Sequence, residues 1–261
     1  MDNRPKYPIY IVSKGRYDKT YTADNFEAEG IDYLIAVEPQ EADSYKKKLG
    51  EHRVLVLPFS NLGLGSYPAR NYCWEHAISN GHSKYWCFDD NIDGIIKWVN
   101  GRKPKKPTYT KEGICYVERH SDRHAVDISG FEYRYFVVGV PKKPFKHNGR
   151  VYSAMLINTK MPYRWRLKYN EDVDLCLQVL HNGGKTSSCI YYMSNKISTV
   201  AKMKGGNQDE LYKGNDPKKK LLKAKMLQAV WPQYAKTVIR FNRIHHYVDW
   251  KVFQKRLKTA E

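Results

Sequence analysis

The stretch Tyr85-Trp86-Cys87-Phe88-Asp89-Asp90-Asn91 decides how the chain reads. Four bulky uncharged residues fit a short buried strand. Three polar residues then suit a turn. In an open parallel sheet, ligands gather at the carboxyl ends of the strands, so a strand that ends on two acids is a candidate site wall.

The sequence upstream builds that sheet. Residues 7–13, 32–37 and 53–57 read as three more strands. Between them, a helix spans about 22–29 and stops at Gly30, and another spans 41–49 and stops at Gly50. After the loop 61–66, Pro68 suits the first position of a helix that runs to Asn80 and stops at Gly81. This alternation predicts an α/β fold, a mostly parallel sheet with helices on both faces. Polar residues stand at the expected strand ends: Ser13-Lys14-Gly15-Arg16, Glu38 and Asp89-Asp90-Asn91.

Downstream, residues 101–107 and 141–147 form basic loops punctuated by proline. Residues 114–117, 131–140 and 151–157 read as strands of a mixed extension of the sheet. Asn170 opens a helix in which Val173, Cys176, Leu177 and Leu180 recur at helical spacing, with Gly183-Gly184 at its end. Residues 202–220 read as a flexible loop, and 218–229 as a basic helix.

Of 261 residues, 45 are Lys or Arg and 27 Asp or Glu, a net charge of +18. That charge is lopsided. Residues 1–100 carry 12 basic and 14 acidic side chains, whereas 101–261 carry 33 and 13. Such asymmetry predicts two jobs in one domain, with a basic C-terminal half facing a polyanion. With 41% hydrophobic residues, a disordered polycation is excluded. No apolar run is long enough for a membrane helix, and the start does not read as a signal peptide. Five scattered cysteines without a C-x-x-C pair read as reduced thiols of a cytosolic protein, with no zinc framework.

Several groups could carry chemistry, each beside a plainer reading. Asp89, Asp90 and Asn91 could hold Mg²⁺ or Mn²⁺, or form a polar turn. Glu171 and Asp172 could supply a general base, or complement a helix dipole after an Asn170 cap. Arg70 and Asn71, in the first turn of a helix, could bind an anion or face solvent. Lys218, Lys219 and Lys220 read as phosphate contacts. His245 and His246 could serve as ligands, DNA contacts or ordinary histidines.

Taken in order, these motifs resemble the GT-A glycosyltransferases. The strand ending in Ser-Lys-Gly-Arg, the Glu-Pro at 38–39, the Ala-Arg-Asn at 69–71, the Asp-Asp-Asn-Ile at 89–92 and the Asn-Glu-Asp-Val-Asp-Leu at 170–175 carry the likeness. Within that fold they are most similar to the TET-associated glycosyltransferases of phages, related to the base J glucosyltransferase. Lys204-Gly205-Gly206-Asn207 and the run 243–249 extend the match. The resemblance implies a UDP-sugar donor, UDP-glucose foremost, a divalent Mn or Mg ion, and DNA carrying 5-hydroxymethylcytosine or hydroxymethyluracil as acceptor. It places Ser13, Lys14, Arg16 and Glu38 in the nucleotide pocket, with Arg70 and Asn71 at the nucleotide or its diphosphate. Asp89, Asp90 and Asn91 stand at the D-x-D element, where Asn91 replaces the usual last carboxylate. Asp172, beside Glu171, matches the base of inverting members. Lys204, Asn207, Lys218, Lys219, Lys220, Arg243, His245 and His246 fall to the acceptor side. It also implies work in a bacterial host's cytoplasm. Rival readings are a GT-A enzyme with another acceptor, a nucleotidyltransferase, and a binding module that has lost its activity.

Overall fold

The computed structural model describes residues 4–104, 106, 109–197, 205–206, 217–240 and 242–258, with 217, 219, 220, 243 and 256–258 as backbone. The chain first runs β1 (Ile9–Val12), α1 (Tyr21–Ala28), β2 (Leu34–Val37), α2 (Ala42–Leu49), β3 (Val54–Val56), α3 (Tyr67–Ser79) and β4 (Lys84–Asp89). It then adds β5 (Ile92–Lys97), α4 (Thr110–Arg123), β6 (Ile128–Tyr133), β7 (Phe145–His147), β8 (Ala154–Asn158), α5 (Glu171–His181) and β9 (Thr186–Lys196). An extension follows: α6 (Pro217–Val230), the antiparallel hairpin β10 (Ala235–Arg240) and β11 (Arg243–Val248), and α7 (Lys251–Lys258).

The main sheet has the order β3-β2-β1-β4-β8-β6-β9-β5, with β7 also paired to β9. Strands β1 to β4, β6 and β9 run one way, and β5, β7 and β8 oppose them. The predicted mostly parallel α/β sheet is therefore present.

Both faces of the sheet are buried, and strand alternation explains how. Ile9, Ile11, Trp86 and Phe88 point to one side, where Phe26 of α1 and Ile114 and Val117 of α4 cover them. Tyr10, Tyr85 and Cys87 point to the other, against Cys73, Trp74 and Ala77 of α3 and Leu175, Cys176 and Val179 of α5. The opposite side of α5 is also apolar. Val173, Leu177 and Leu180 receive Leu227, Trp231, Ala235, Val248 and Phe253 of the extension. Helix α5 thus joins the sheet to the basic C-terminal layer.

Three expected strands differ. Residues 114–117 lie inside α4, where Ile114, Val117, Glu118 and Ser121 are buried at helical spacing. A four-residue window holds barely one helical period, too few to show the repeat. Gly113 lets the helix approach closely: a Cβ there would lie 3.0 Å from the Ile95 side chain. In the stretch 131–140, strand β6 ends at Tyr133. The Phe136 N–H donates to the Tyr133 carbonyl and turns the chain away, leaving Tyr135 70% and Val138 93% exposed. In the stretch 151–157, Ser153 is left-handed with φ 56°, so β8 begins only at Ala154. Strands β5, β7, β9, β10 and β11 were not foreseen, and β7 lies inside the expected basic loop 141–147. Of the expected loop 202–220, residues 217–220 open α6, residues 205 and 206 form a bend, and the rest lies outside the described residues.

Candidate active site

The strand directions bring one row of chain ends together. Ser13 follows β1, Glu38 follows β2, Asp89 ends β4, Tyr133 ends β6 and Lys196 ends β9. Antiparallel β8 presents its amino end, so Ser153 joins the same row. All of these but Ser153 line a cavity of about 420 Å³, within the usual range for small-ligand sites. The first turn of α5 and one edge of the extension form its far wall.

At the centre, Asp89 accepts from Arg70 Nη2 at 2.5 Å on one oxygen. Its other oxygen takes Lys196 Nζ at 2.7 Å and Ser153 Oγ at 2.6 Å. Against the cost of burial, Lys196 and Arg70 hold the Asp89 carboxyl well below the usual carboxylate range. The left-handed Ser153 belongs to this cluster, because its hydroxyl also meets Lys196 Nζ at 2.5 Å. A serine in that backbone region is uncommon and is retained where neighbours over-determine it.

Asp90 points to the other side of the strand. It pairs with Arg16 on one oxygen and takes Ser13 Oγ at 2.7 Å on the other, and only 4% of the residue is exposed. Burial pushes its carboxyl up, and Arg16 and Ser13 offset part of that push. Asn91 donates to the Ile197 carbonyl at 2.9 Å. Glu38 takes Lys14 Nζ at 3.1 Å and the Asn61 N–H at 3.1 Å.

Across the cavity, Asn170 does not cap α5 with its side chain. It is left-handed, with φ 56°, and its amide donates to the Lys223 carbonyl of α6. This turn aims the following acids in different directions. Glu171 takes Ser66 Oγ at 2.8 Å and stands 3.5 Å from Arg70 Nε. Asp174 is fully buried and receives Arg166, Trp231 Nε1 and Gln178, which ties the extension to α5. Asp172 lines the cavity, and its one hydrogen bond among the described residues comes from the Val173 N–H at 2.8 Å. Burial, reinforced by the Glu171 charge, pushes the Asp172 carboxyl up to about 7.

Of the expected donor-side residues, Ser13, Lys14, Arg16, Glu38, Arg70, Asp89, Asp90 and Asn91 all line this cavity, as do Glu171 and Asp172. Asn71 does not. Its amide donates to the Trp165 carbonyl at 2.7 Å and accepts the Trp165 N–H at 3.0 Å, so it braces a loop. On the acceptor side, His246 lines the cavity, while Lys218 and His245 are exposed outside it. Burial pushes His246 down to about 4, helped by Lys223, His245 and Arg150, so it is neutral near pH 7. Lys219, Lys220 and Arg243 are placed by backbone alone, and Lys204 and Asn207 lie outside the described residues. In the basic loop 101–107, Lys103 is spent on the Arg134 and Val137 carbonyls.

A second cavity, about 390 Å³, shares Tyr152 and His246 with the first. Arg150, Arg240, Lys251, Tyr247 and Trp250 also line it. Beside the first cavity stands the exposed segment after β6, whose Phe136 reaches the lining.

The expected metal ligands do not fit an ion as they stand. Both Asp89 oxygens and both Asp90 oxygens are engaged by side-chain donors, most of them cationic. Among the described residues, no group of three or more His, Cys, Asp or Glu is placed to hold a metal ion. No described helix is long and apolar enough to cross a membrane.

The family model of the TET-associated glycosyltransferases matches residues 7–206, from β1 past the end of β9. The chain belongs to that family. The family match covers the whole row of strand ends, and it assigns glycosyl transfer to this chain. No curated protein sequence matches the chain. Among solved structures it is similar to one from Desulfovibrio desulfuricans G20 described as a nucleotide-diphospho-sugar transferase. Identity is 12%, over 70% of this chain and 77% of that one, with a TM-score of 0.38, and a likeness that loose carries no argument.

Sequence reasoning missed Lys196, Tyr133, Ser153, Tyr152 and Lys223, all but Ser153 in the cavity lining. A single signal pointed to Lys196: it ends an uninterrupted strand-like run from Thr186. Its pairing with Asp89, 107 residues away, needs the sheet order.

Proposed function

We propose that this chain moves a hexose, glucose foremost, from a UDP-sugar to the hydroxyl of 5-hydroxymethylcytosine in DNA, with Asp172 as the base. One observation supports it above others. Asp172 shares a cavity with the donor-side strand ends, and its carboxyl is pushed up to about 7. A base of that strength is largely ionised just above neutral pH and still takes a proton readily.

The acceptor oxygen attacks the anomeric carbon in line with the departing diphosphate. The new carbon–oxygen bond forms as the bond to UDP breaks, and the electron pair leaves with UDP. The hydroxyl proton passes to Asp172. Charge on the sugar is oxocarbenium-like at the summit. Ser13, Lys14, Arg16 and Glu38 would flank the nucleotide. Arg70, 5% exposed, acts from beneath the cavity through Asp89 and Glu171 rather than by open contact. Glu171 orients that guanidinium and raises its neighbour.

Residues 101–261 would form the acceptor half. Their net positive charge suits a phosphate backbone. The second cavity would supply Arg150, Arg240 and Lys251 for phosphates and Tyr247 and Trp250 for stacking on bases, and it shares Tyr152 and His246 with the first. The division is not clean, because Tyr133 and Lys196 cross to the donor end. Such an enzyme would act on phage DNA in a bacterial cytoplasm.

The test is to incubate hydroxymethylcytosine DNA with UDP-glucose and other UDP-sugars, then weigh the digested nucleosides. A hexose mass increment that vanishes in Asp172→Asn is the expected result. No increment with any donor, alongside tight DNA binding, would leave a binding module.

A further inference from the structure

A D-x-D element works by presenting carboxylate oxygens to a divalent ion. Here those oxygens are already matched to protein cations. Asp89 sits between Arg70 and Lys196, and Asp90 is closed off by Arg16 and Ser13. The third position is a neutral amide, Asn91, which brings no negative charge to an ion, and its nitrogen donates to the Ile197 carbonyl. An ion entering this cluster would displace ammonium and guanidinium groups from their carboxylates and leave them buried beside it, at a large cost.

Of these cations, Lys196 is the one turned to the cavity. Its side chain is 23% exposed, against 6% for Arg70 and 7% for Arg16. It stands on the carboxylate at the end of the central strand, with Ser153 Oγ and Tyr133 OH completing its contacts. The Tyr133 contact is the longest, at 3.2 Å, and is the one a phosphate oxygen could replace.

We propose that Lys196, seated on Asp89, is the cation that meets the donor's diphosphate, and that this chain binds its donor without a divalent metal. The inference rests on the nucleotide-sugar reading above. Asp89 then serves as the mount of the ammonium. Ser153, strained into the left-handed region, is a positioning residue that keeps the ammonium over the carboxylate.

Calorimetric titration of the full chain with UDP separates the possibilities. In EDTA and in Mn²⁺ the wild-type dissociation constant is expected to be the same. Lys196→Ala should weaken UDP by about tenfold or more, the usual scale for losing a charge-assisted contact. Lys196→Arg should retain most of the affinity in EDTA. Uridine, which lacks the diphosphate, should bind wild type and Lys196→Ala alike, which also shows that the variant is folded. UDP binding that is lost in EDTA and restored by Mn²⁺ would overturn the proposal and leave the donor reading intact. Equal UDP affinity for wild type and Lys196→Ala in EDTA would also overturn it. Failure of UDP, GDP, ADP and CDP to bind in either buffer would overturn the donor reading, and this inference with it.

Discussion

Two carboxylates face each other across one cavity, and their surroundings drive them apart. Asp89, at the end of β4, is held well below the usual range, because Lys196 and Arg70 outweigh the cost of burial. Asp172, in the first turn of α5, is pushed up to about 7 by burial and by Glu171. One is an anion held among cations, and the other is the carboxyl proposed above as the acid–base group. Divergent environments of this kind are how one site assigns separate roles to like residues. The lesson is that a carboxylate's role here follows from how many cations reach it, not from its place in an acidic motif.

The largest expected effect would break the comparison outright. Asp172→Asn removes the proposed base while keeping the shape, so kcat should fall by about 10²- to 10⁴-fold. UDP affinity, measured by calorimetry, should be unchanged. A variant that keeps wild-type turnover would mean that the raised carboxyl is not the base.

Next in size is a stability effect at the opposite wall. Asp89→Ala strips Lys196 of its carboxylate and leaves Arg70 only the more distant Glu171, and denaturant unfolding should show a loss of about 3–5 kcal/mol. Asp174→Ala should cost less, about 1–3 kcal/mol, because Trp231 Nε1 and Gln178 lose their buried acceptor at the joint between α5 and the extension while half-exposed Arg166 can turn to water. Loss of less than about 1 kcal/mol in either, a surface-pair value, would show that these anchors are not buried pairs.

The pH profile sharpens the contrast. A protonated Asp172 cannot accept the hydroxyl proton, so activity should be low in acid and rise through about pH 7. Asp89 should add no limb in that range, because it is already ionised throughout. The smallest effect comes from Glu171→Gln. Removing that negative charge should move the midpoint of the rise to lower pH, since the Glu171 charge is part of what raises its neighbour. A midpoint that stays put would assign the whole shift to burial.

Much of this was legible in the chain itself. The alternation of apolar runs with Gly-stopped helices showed the first four strands, because local hydrophobic period and turn chemistry suffice there. The acids at 89–90 and 171–172 were visible as short polar groups at element ends. The second half was harder. Residues 114–117 are apolar enough for a strand, and only the burial of Glu118 and Ser121 on the same face reveals α4. The run after Tyr133 is β-rich, yet no neighbouring strand pairs it beyond the hydrogen bond from the Arg134 N–H to Ser194. Asn71 stood in a motif beside Arg70, but the helix turns it to Trp165, away from the cavity.

Charge patterning and periodicity are local properties, and by themselves they determined the α/β class, the row of polar strand ends and the basic character of the second half. Tertiary structure alone decided which cation reaches which acid. Lys196 meets Asp89 because β9 lies parallel to β6 and so ends at the same edge of the sheet as β4. Among the described residues Asp172 forms no ion pair, and Arg70 only partly offsets its upward push, because the left-handed turn at Asn170 aims it into the cavity while Glu171 and Asp174 take the neighbouring arginines. Electrostatic roles depend on distance and burial, and a linear sequence specifies neither until the sheet order brings its ends together.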